Sequence, residues 1–214
     1  MRINNAVLLI GGCTALLIAL ALIGKTPAKG RDNRLATLTQ TYIAVNAGAP
    51  VLVPGLITAE GHVLAPERLR GHWSVIFVGF TACPLVCPRT VALLTAIGRD
   101  PESGVSSGTT QIVFVSIDPE HDTPKRLRSY LQHFGGHILG LTGSRDGIDR
   151  FSREIGAGSQ PVGSAIDHST SLFVLDPQGR LSGILLRPDD PARIVADLTI
   201  LRRSHADAPV SMER

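Results

Sequence analysis

Two cysteines separated by three residues, Cys83 and Cys87, stand in the stretch GFTACPLVCPRT at residues 79–90. Dithiol exchangers usually have two residues between their cysteines, so the extra residue needs an explanation. At positions i and i+4 of a helix the two Cβ atoms would lie about 5–6 Å apart, close enough for both sulfurs to bind one ion. A disulfide needs a Cβ separation of about 4 Å, which this pair reaches only with a local backbone adjustment. The pair can therefore serve metal binding or redox chemistry.

Two soft thiolates without further cysteines favour copper over structural zinc, because such a zinc takes four ligands. Cu(I) is the favoured oxidation state and Cu(II) the alternative. A third ligand could come from one of the seven histidines of the chain. His168 is the candidate, since it lies in AIDHSTSLFVLD just before a predicted strand, whose edge can face the end of an earlier strand. We expect His121 in solvent, and His133 and His137 at a helix end.

The elements around the cysteines form a strand-helix-strand unit. Trp73–Phe80 is a continuous apolar run typical of a strand buried on both faces, and residues 111–117 form a second such run. Residues 90–98 between them are predicted to be helical. The cysteines would then stand at the helix start, where free N–H groups and the helix dipole favour thiolate. Cys83 is nearer that start and is the expected nucleophile of any thiol exchange.

The rest of the chain predicts further strands and helices in an α/β order. The predicted elements are a weak helix through residues 35–45, a small hairpin turning at Glu60-Gly61, a helix from Thr123-Pro124, a strand at 138–142, a hairpin of 172–176 and 181–186 around Pro177-Gln178-Gly179, and a last helix from Asp190-Pro191 through Leu201. This order favours a thioredoxin-like sheet flanked by helices on both faces.

An apolar segment precedes this domain. Residues 6–24 carry no charge, and as a helix they would span roughly 28 Å, close to the hydrocarbon thickness of a bilayer. We interpret them as one N-terminal transmembrane helix, with a signal cleaved near Ala19-Leu20-Ala21 as the alternative. Lysines and arginines follow the segment and oppose export, although long domains translocate largely regardless of flanking charge.

The predicted organisation has four parts: an anchor or uncleaved signal at 1–24, a linker at 25–49, a thioredoxin-like domain at 50–201 and a polar tail at 202–214. The 214 residues include 21 Lys and Arg against 18 Asp and Glu, with no dense basic block, so a nucleic-acid surface is not indicated. With three cysteines, one of them within the apolar segment, the chain is no multi-bridge disulfide scaffold.

Two aspartates in IDPEHDTP, Asp118 and Asp122, follow the second buried strand. A paired-carboxylate acid/base site is one interpretation. A structural role is the favoured one, in which Asp118-Pro119 forms a turn and Asp122 or Thr123 caps the next helix.

Three segments, GFTACPLVCP, VSIDPEHDTP and DHSTSLFVLDPQGR, together resemble the Sco/SenC family of copper chaperones and thiol reductases over about residues 50–201. The resemblance implies a thioredoxin-like fold, with Cys83, Cys87 and His168 as copper ligands. It also implies a single-pass anchor in the cell inner membrane with the domain in the periplasm, or the mitochondrial equivalent. Ala82 and Leu85 depart from the histidine and aspartate common in the family, and so leave the choice of docking partner open.

Two functions remain open on this evidence, because both use the same two sulfurs. The first is a copper chaperone that serves the dinuclear copper centre of cytochrome c oxidase, with a copper-receiving oxidase subunit or another chaperone as partner. The second is a membrane-anchored thiol-disulfide reductase with Cys83 and Cys87 as its redox pair. No nucleic-acid partner is expected.

Overall fold

Nine strands are formed by the residues that this computed structural model describes, which are 41–135, 137–157, 161–162, 165–166, 171–186 and 188–206. In chain order they are β1 (Tyr42–Ala44), β2 (Leu56–Thr58), β3 (Trp73–Gly79), β4 (Thr110–Ser116), β5 (Ile138–Gly143), β6 (Pro161–Val162), β7 (Ala165–Ile166), β8 (Leu172–Leu175) and β9 (Leu181–Leu185). The same residues form helices α1 (Val86–Arg99), α2 (Pro124–Gln132), α3 (Arg145–Glu154) and α4 (Pro191–Ala206), with short 3-10 helices at Pro66–Leu69 and Pro101–Ser103.

Seven of these strands build one mixed sheet in the order β1-β9-β8-β3-β4-β5-β2. The central strands β3, β4 and β5 are parallel, whereas β1, β2, β8 and β9 join antiparallel to their neighbours. Helix α1 connects β3 to β4 and helix α2 connects β4 to β5, which confirms the predicted strand-helix-strand unit. The strands β6 and β7 pair separately as a small two-stranded sheet.

The side chains of the central strands alternate between two apolar layers. Phe77 of β3 and Phe114 of β4 stand opposite each other and meet edge to face, with ring centroids 5.8 Å apart. They belong to the layer covered by α1, α2 and α4. Ile76 and Val113 point to the other layer, which α3 and the first 3-10 helix cover. Both faces of the sheet are therefore buried, as continuous apolar strands require.

Several predicted elements are confirmed with shifted ends. Helix α1 begins at Val86, ahead of the predicted start at Thr90, and α4 continues to Ala206, beyond the predicted Leu201. The turn at Glu60-Gly61 is present, with the amide of Thr58 donating to the carbonyl of His62, and β2 additionally joins the large sheet through β5. The hairpin of β8 and β9 is formed as predicted.

One sequence expectation was wrong, and one helix was missed. The weak helical pattern through residues 35–45 does not give a helix at its described end, because Tyr42–Ala44 pair with β9 and the Tyr42 hydroxyl bonds to Ser182 at 2.6 Å. Helix α3 was not predicted, although its signals are present. Ser144 caps it by accepting from the amide of Gly147, and Ile148 and Phe151 are buried beneath it.

The apolar segment at residues 6–24 lies outside the described residues. Within the part of the chain that is described, no helix is both long and apolar enough to cross a membrane.

Candidate metal centre

The two cysteines lie where β3 gives way to α1. The helix begins at Val86, so Cys87 is in its first turn and Cys83 is in the preceding turn. The cysteines therefore stand at the helix start, as predicted, but the i, i+4 geometry of a helix does not apply to the pair because only Cys87 lies within α1. Both are free thiols and both are buried, with 5% of Cys83 and 1% of Cys87 exposed.

The sulfur of Cys83 takes the place of a helix-capping side chain. The residue at the N-cap, Leu85, makes no side-chain cap bond, while the amide of Cys87 donates to the Cys83 sulfur at 3.4 Å. Burial on its own raises the pKa of Cys83. Hydrogen bonds from the amide and thiol of Cys87 and from the amides of Leu85 and Val86 outweigh it, so the pKa is lowered from its ordinary value.

Cys87 is affected in the opposite direction. Burial is the main cause that raises its pKa to about 12, helped by the bond of its thiol to Cys83 and by the negative charges of Cys83 and Asp122. The amide of Phe80 lowers the pKa in part. Cys83 therefore loses its proton first and Cys87 keeps the second one, which agrees with the expectation that Cys83 is the better nucleophile.

Gly79, the last residue of β3, provides the space for the Cys87 sulfur. A Cβ atom at this position would lie 2.9 Å from that sulfur and 3.0 Å from the ring of Phe77. The sulfur and the ring thus flank the same small space above the strand. A side chain at residue 79 would push the sulfur away.

Asp122 joins the cysteine loop to the end of β4. Its side chain is fully buried and accepts hydrogen bonds from the Thr81 amide at 2.8 Å, the Thr81 hydroxyl at 2.5 Å and the Ser116 hydroxyl at 2.6 Å. The guanidinium of Arg126 lies 3.8 Å away. We call this set of three residues, Asp122, Thr81 and Ser116, the Asp122 bridge. It fixes the position of the loop two residues before Cys83 (83 minus 81).

The acid/base interpretation of the two aspartates is not supported, because they have different partners. The favoured structural interpretation is confirmed, with Thr123 as the cap of α2, which accepts from the amide of Arg126. Asp118 lies 2.9 Å from the Nδ1 atom of His121, whose pKa is raised mainly by that hydrogen bond. The His121 side chain is 68% exposed, as expected.

His168 lies outside the described residues. Among the residues that are described, no third histidine, cysteine, aspartate or glutamate joins the cysteine pair to form a possible metal-binding group. His133 caps the end of α2, as predicted, and its Nδ1 atom is bonded to the Ser129 carbonyl.

A groove of about 480 Å³ runs beside the first turns of α1. It is lined by Leu85, Val86, Arg89, Thr90, Leu93, Pro188, Asp189 and Pro191. The side chain of Leu85, which stands between the two cysteines, is 61% exposed. Leu85 therefore presents apolar surface to solvent in the loop that carries Cys83.

A family model described as SCO1/SenC matches residues 55–202. The chain belongs to the SCO1/SenC family. A Stutzerimonas stutzeri protein whose name describes it as copper-binding is 30% identical over 181 residues, which are 80% of this chain and 86% of that protein. The mitochondrial SCO2 homolog of Bos taurus is 31% identical over 72% of this chain, and the match spans 58% of the bovine protein.

The crystal structure of yeast Sco1 with copper bound matches this fold with a TM-score of 0.58 and 28% identity, over 77% of this chain and 96% of the yeast chain. This SCO1/SenC chain thus has a thioredoxin-like α/β fold with a mixed sheet. The family and the fold predicted from the sequence are confirmed.

Sequence reasoning missed three residues of this site. Thr81 and Ser116 were not singled out, although both stand near the carboxyl ends of parallel strands, an edge where polar side chains converge. Tyr130 was read only as one of the apolar positions of α2, yet it packs against the cluster that contains both cysteines.

Replacing Asp122 by alanine should destabilise the protein. The change leaves three buried or part-buried donors on Thr81 and Ser116 without their acceptor, at an expected cost of about 2–4 kcal/mol in the free energy of unfolding. Urea denaturation measures it. Asp146→Ala is the matched control, because Asp146 makes an exposed ion pair with Arg150 and its loss should cost less than about 0.5 kcal/mol. Equal costs for the two variants would contradict the structural role of the bridge.

The two thiols should differ in how their alkylation depends on pH. Since the pKa of Cys83 is lowered and that of Cys87 is raised to about 12, the rate of Cys83 with iodoacetamide should level off at a lower pH than the rate of Cys87. Peptide mass spectrometry after short exposures gives each rate separately. Each thiol is judged by how its alkylation rate changes with pH and not by its absolute rate. The small difference in exposure between the two side chains therefore does not affect the comparison. Parallel profiles would mean that the helix start does not stabilise the Cys83 thiolate.

Proposed function

We propose that this chain is a copper chaperone that binds Cu(I) through Cys83, Cys87 and His168 and delivers it to the dinuclear copper centre of cytochrome c oxidase. The observation that carries the proposal is the pair of buried free thiols at the start of α1, in a chain of the SCO1/SenC family. Soft sulfur ligands in an apolar setting suit Cu(I).

Copper binding needs two thiolates, and the two thiols differ in how readily they lose their protons. Cys83 is the readier thiolate, because amides at the helix start stabilise its charge. Cys87 must lose a proton when copper binds, because its pKa is raised to about 12 by burial and by neighbouring negative charge. Copper loading should therefore release protons at neutral pH.

The course of β8 supports His168 as the third ligand. This strand runs antiparallel to β3, with Phe173 opposite Ile76 and Leu175 opposite Ser74. Its first residue, Leu172, therefore lies toward the end of β3 from which the cysteine loop leaves. His168 precedes Leu172 by a few residues in the sequence, so the chain enters the sheet from the side of the thiols.

Similar proteins support copper as the metal that this chain carries. The yeast Sco1 structure contains copper, and the name of the Stutzerimonas stutzeri relative describes it as copper-binding. The acceptor, an oxidase subunit or another copper chaperone, follows from the Sco/SenC resemblance. The open groove next to Leu85 provides apolar surface where such a partner could dock beside the thiols.

An anaerobic competition titration with a Cu(I) chelator tests the site. We expect one copper per chain, and a loss of affinity of more than about 100-fold for Cys83→Ser or Cys87→Ser, since even residues behind the ligands are worth about 10–100-fold. His168→Ala should weaken binding less. Cys13→Ser and His133→Ala are the matched controls, because neither residue belongs to the proposed ligand set.

Binding that is indifferent to either cysteine would refute the proposed site. Absence of binding, together with rapid reduction of a disulfide substrate by the cysteine pair, would instead support the thiol-disulfide reductase. Binding that needs both cysteines but not His168 would reduce the site to a dithiol.

We also propose that residues 1–24 anchor the domain in the cell inner membrane with its copper site in the periplasm, as the uncharged stretch 6–24 suggests. In a Gram-negative host, the full chain should stay with membranes after a carbonate wash. Protease added to spheroplasts should remove its domain. Deleting residues 1–24 is the control. A full chain that is protected in spheroplasts would place the domain on the cytoplasmic side.

A further inference from the structure

The groove beside α1 has one face of that helix as its first wall. The residues of this wall are Leu85, Val86, Arg89, Thr90 and Leu93, whose spacing places them along one side of a helix. The hydroxyl of Thr90 is already used, because it donates to the carbonyl of Val86 at 3.0 Å. Apart from the guanidinium of Arg89, this wall is therefore an apolar surface.

The opposite wall is the segment that leads into α4, and it contributes Pro188, Asp189 and Pro191 to the groove. A proline has no N–H group, so this wall offers the acceptors of its carbonyls and of the Asp189 carboxylate. The first wall offers the donors of Arg89. A peptide segment carries both N–H and C=O groups and is therefore a suitable occupant of a groove with one donor wall and one acceptor wall.

Leu85 is placed where the fold itself has no need of a leucine. It stands at the N-cap of α1, a position that favours Ser, Thr, Asp or Asn, and it makes no side-chain cap bond. The amide of Cys87, which a cap side chain would accept from, donates to the Cys83 sulfur instead. The Leu85 side chain is also 61% exposed and thus adds little to the core. Contact with another molecule is the role that an apolar side chain serves here.

Arg89 supplies a positive charge at the same groove. Its side chain is exposed and forms no ion pair with any of the residues that the structure describes, including Asp189 across the groove. The neighbouring Asp190, in contrast, is paired with Arg193 at 3.4 Å. A planar guanidinium binds a carboxylate through two parallel hydrogen bonds, so Arg89 is complementary to an acidic side chain of another protein.

We infer that this groove binds an extended segment of the copper acceptor, with an apolar side chain against Leu85 and a carboxylate on Arg89. The inference rests on the proposed copper function and adds which kind of partner surface the chain selects. A protein segment is favoured over a small molecule, because Leu85, Arg89 and Asp189 are all exposed and the groove does not enclose its contents.

The variant Leu85→Ser tests the apolar contact. The probe is the soluble dinuclear-copper domain of the oxidase subunit from the same cell, and calorimetry measures its affinity for the full chain, with both proteins metal-free and reduced. Leu85→Ser should weaken binding by about tenfold or more, because one leucine side chain is no longer buried at the interface. Leu85→Met should keep most of the affinity. The thermal midpoint of Leu85→Ser should not fall, since the leucine makes no cap bond.

Leu52→Ser is the matched control for this variant. Leu52 is 59% exposed, almost as much as Leu85, but it does not line the groove. Its replacement removes the same apolar side chain from the surface and should leave the affinity for the domain unchanged.

The variant Arg89→Gln tests the charged contact. Its affinity for the domain should fall by about 2–5-fold at low salt, the range of an exposed ion pair, and the difference should vanish at high salt. Arg99→Gln is the control, because Arg99 ends the same helix and its loss changes the net charge equally. A similar loss in both variants would mean that the domain responds to overall charge and not to Arg89.

The outcomes separate this inference from the function on which it rests. Weaker binding by Leu85→Ser and Arg89→Gln, with unchanged binding by the two controls, supports it. A chain that loads Cu(I) but does not bind the domain, or whose groove variants bind it as the wild type does, overturns the inference while the copper site stands. Self-association of the full chain that Leu85→Ser abolishes would make the groove an interface between copies and also overturn it. A wild-type chain that binds no Cu(I) overturns both.

Discussion

The burial of the Asp122 carboxylate is the constraint on which the site depends. A fully buried carboxylate is tolerated only when its lone pairs are satisfied, and here Thr81 and Ser116 supply the donors. Thr81 belongs to the loop after β3 and Ser116 ends β4, so both parallel strands must end at the same level. These hydrogen bonds restrict the path of the loop. The Cys83 sulfur is thereby placed where it accepts a hydrogen bond from the amide of Cys87 in the first turn of α1.

The same carboxylate affects the charge that the cysteine pair can carry. With Asp122 and the Cys83 thiolate nearby, a further negative charge on Cys87 is unfavourable, which is one reason why its pKa is raised to about 12, after burial. A cation that binds both sulfurs removes this penalty, since its charge offsets the second thiolate. The electrostatics thus disfavour a free dithiolate, and in the proposed copper site the second thiolate would form together with the bound metal.

Local patterns in the sequence were enough to predict the central strands, the two connecting helices and the hairpin of β8 and β9, because apolar periodicity and turn residues are short-range signals. The cysteine motif and its position after β3 could be predicted for the same reason. The bond from Thr81 to Asp122 joins residues 41 positions apart and arises only when parallel strands align. Tyr42 likewise became a strand residue through pairing with distant Leu185. Such contacts leave no local pattern.

The asymmetry of the two thiols also bears on how a cargo could leave the proposed site. A proton competes most strongly with a metal at the sulfur with the higher pKa, so in the proposed site a bond from copper to Cys87 would be the easier one to replace by protonation. Cys83, whose thiolate is stabilised by amides at the start of α1, would keep the ion meanwhile. Stepwise release of this kind leaves the ion bound at every stage while an acceptor ligand enters. In this proposal, the ligand would approach across the exposed Leu85 and the groove that it lines.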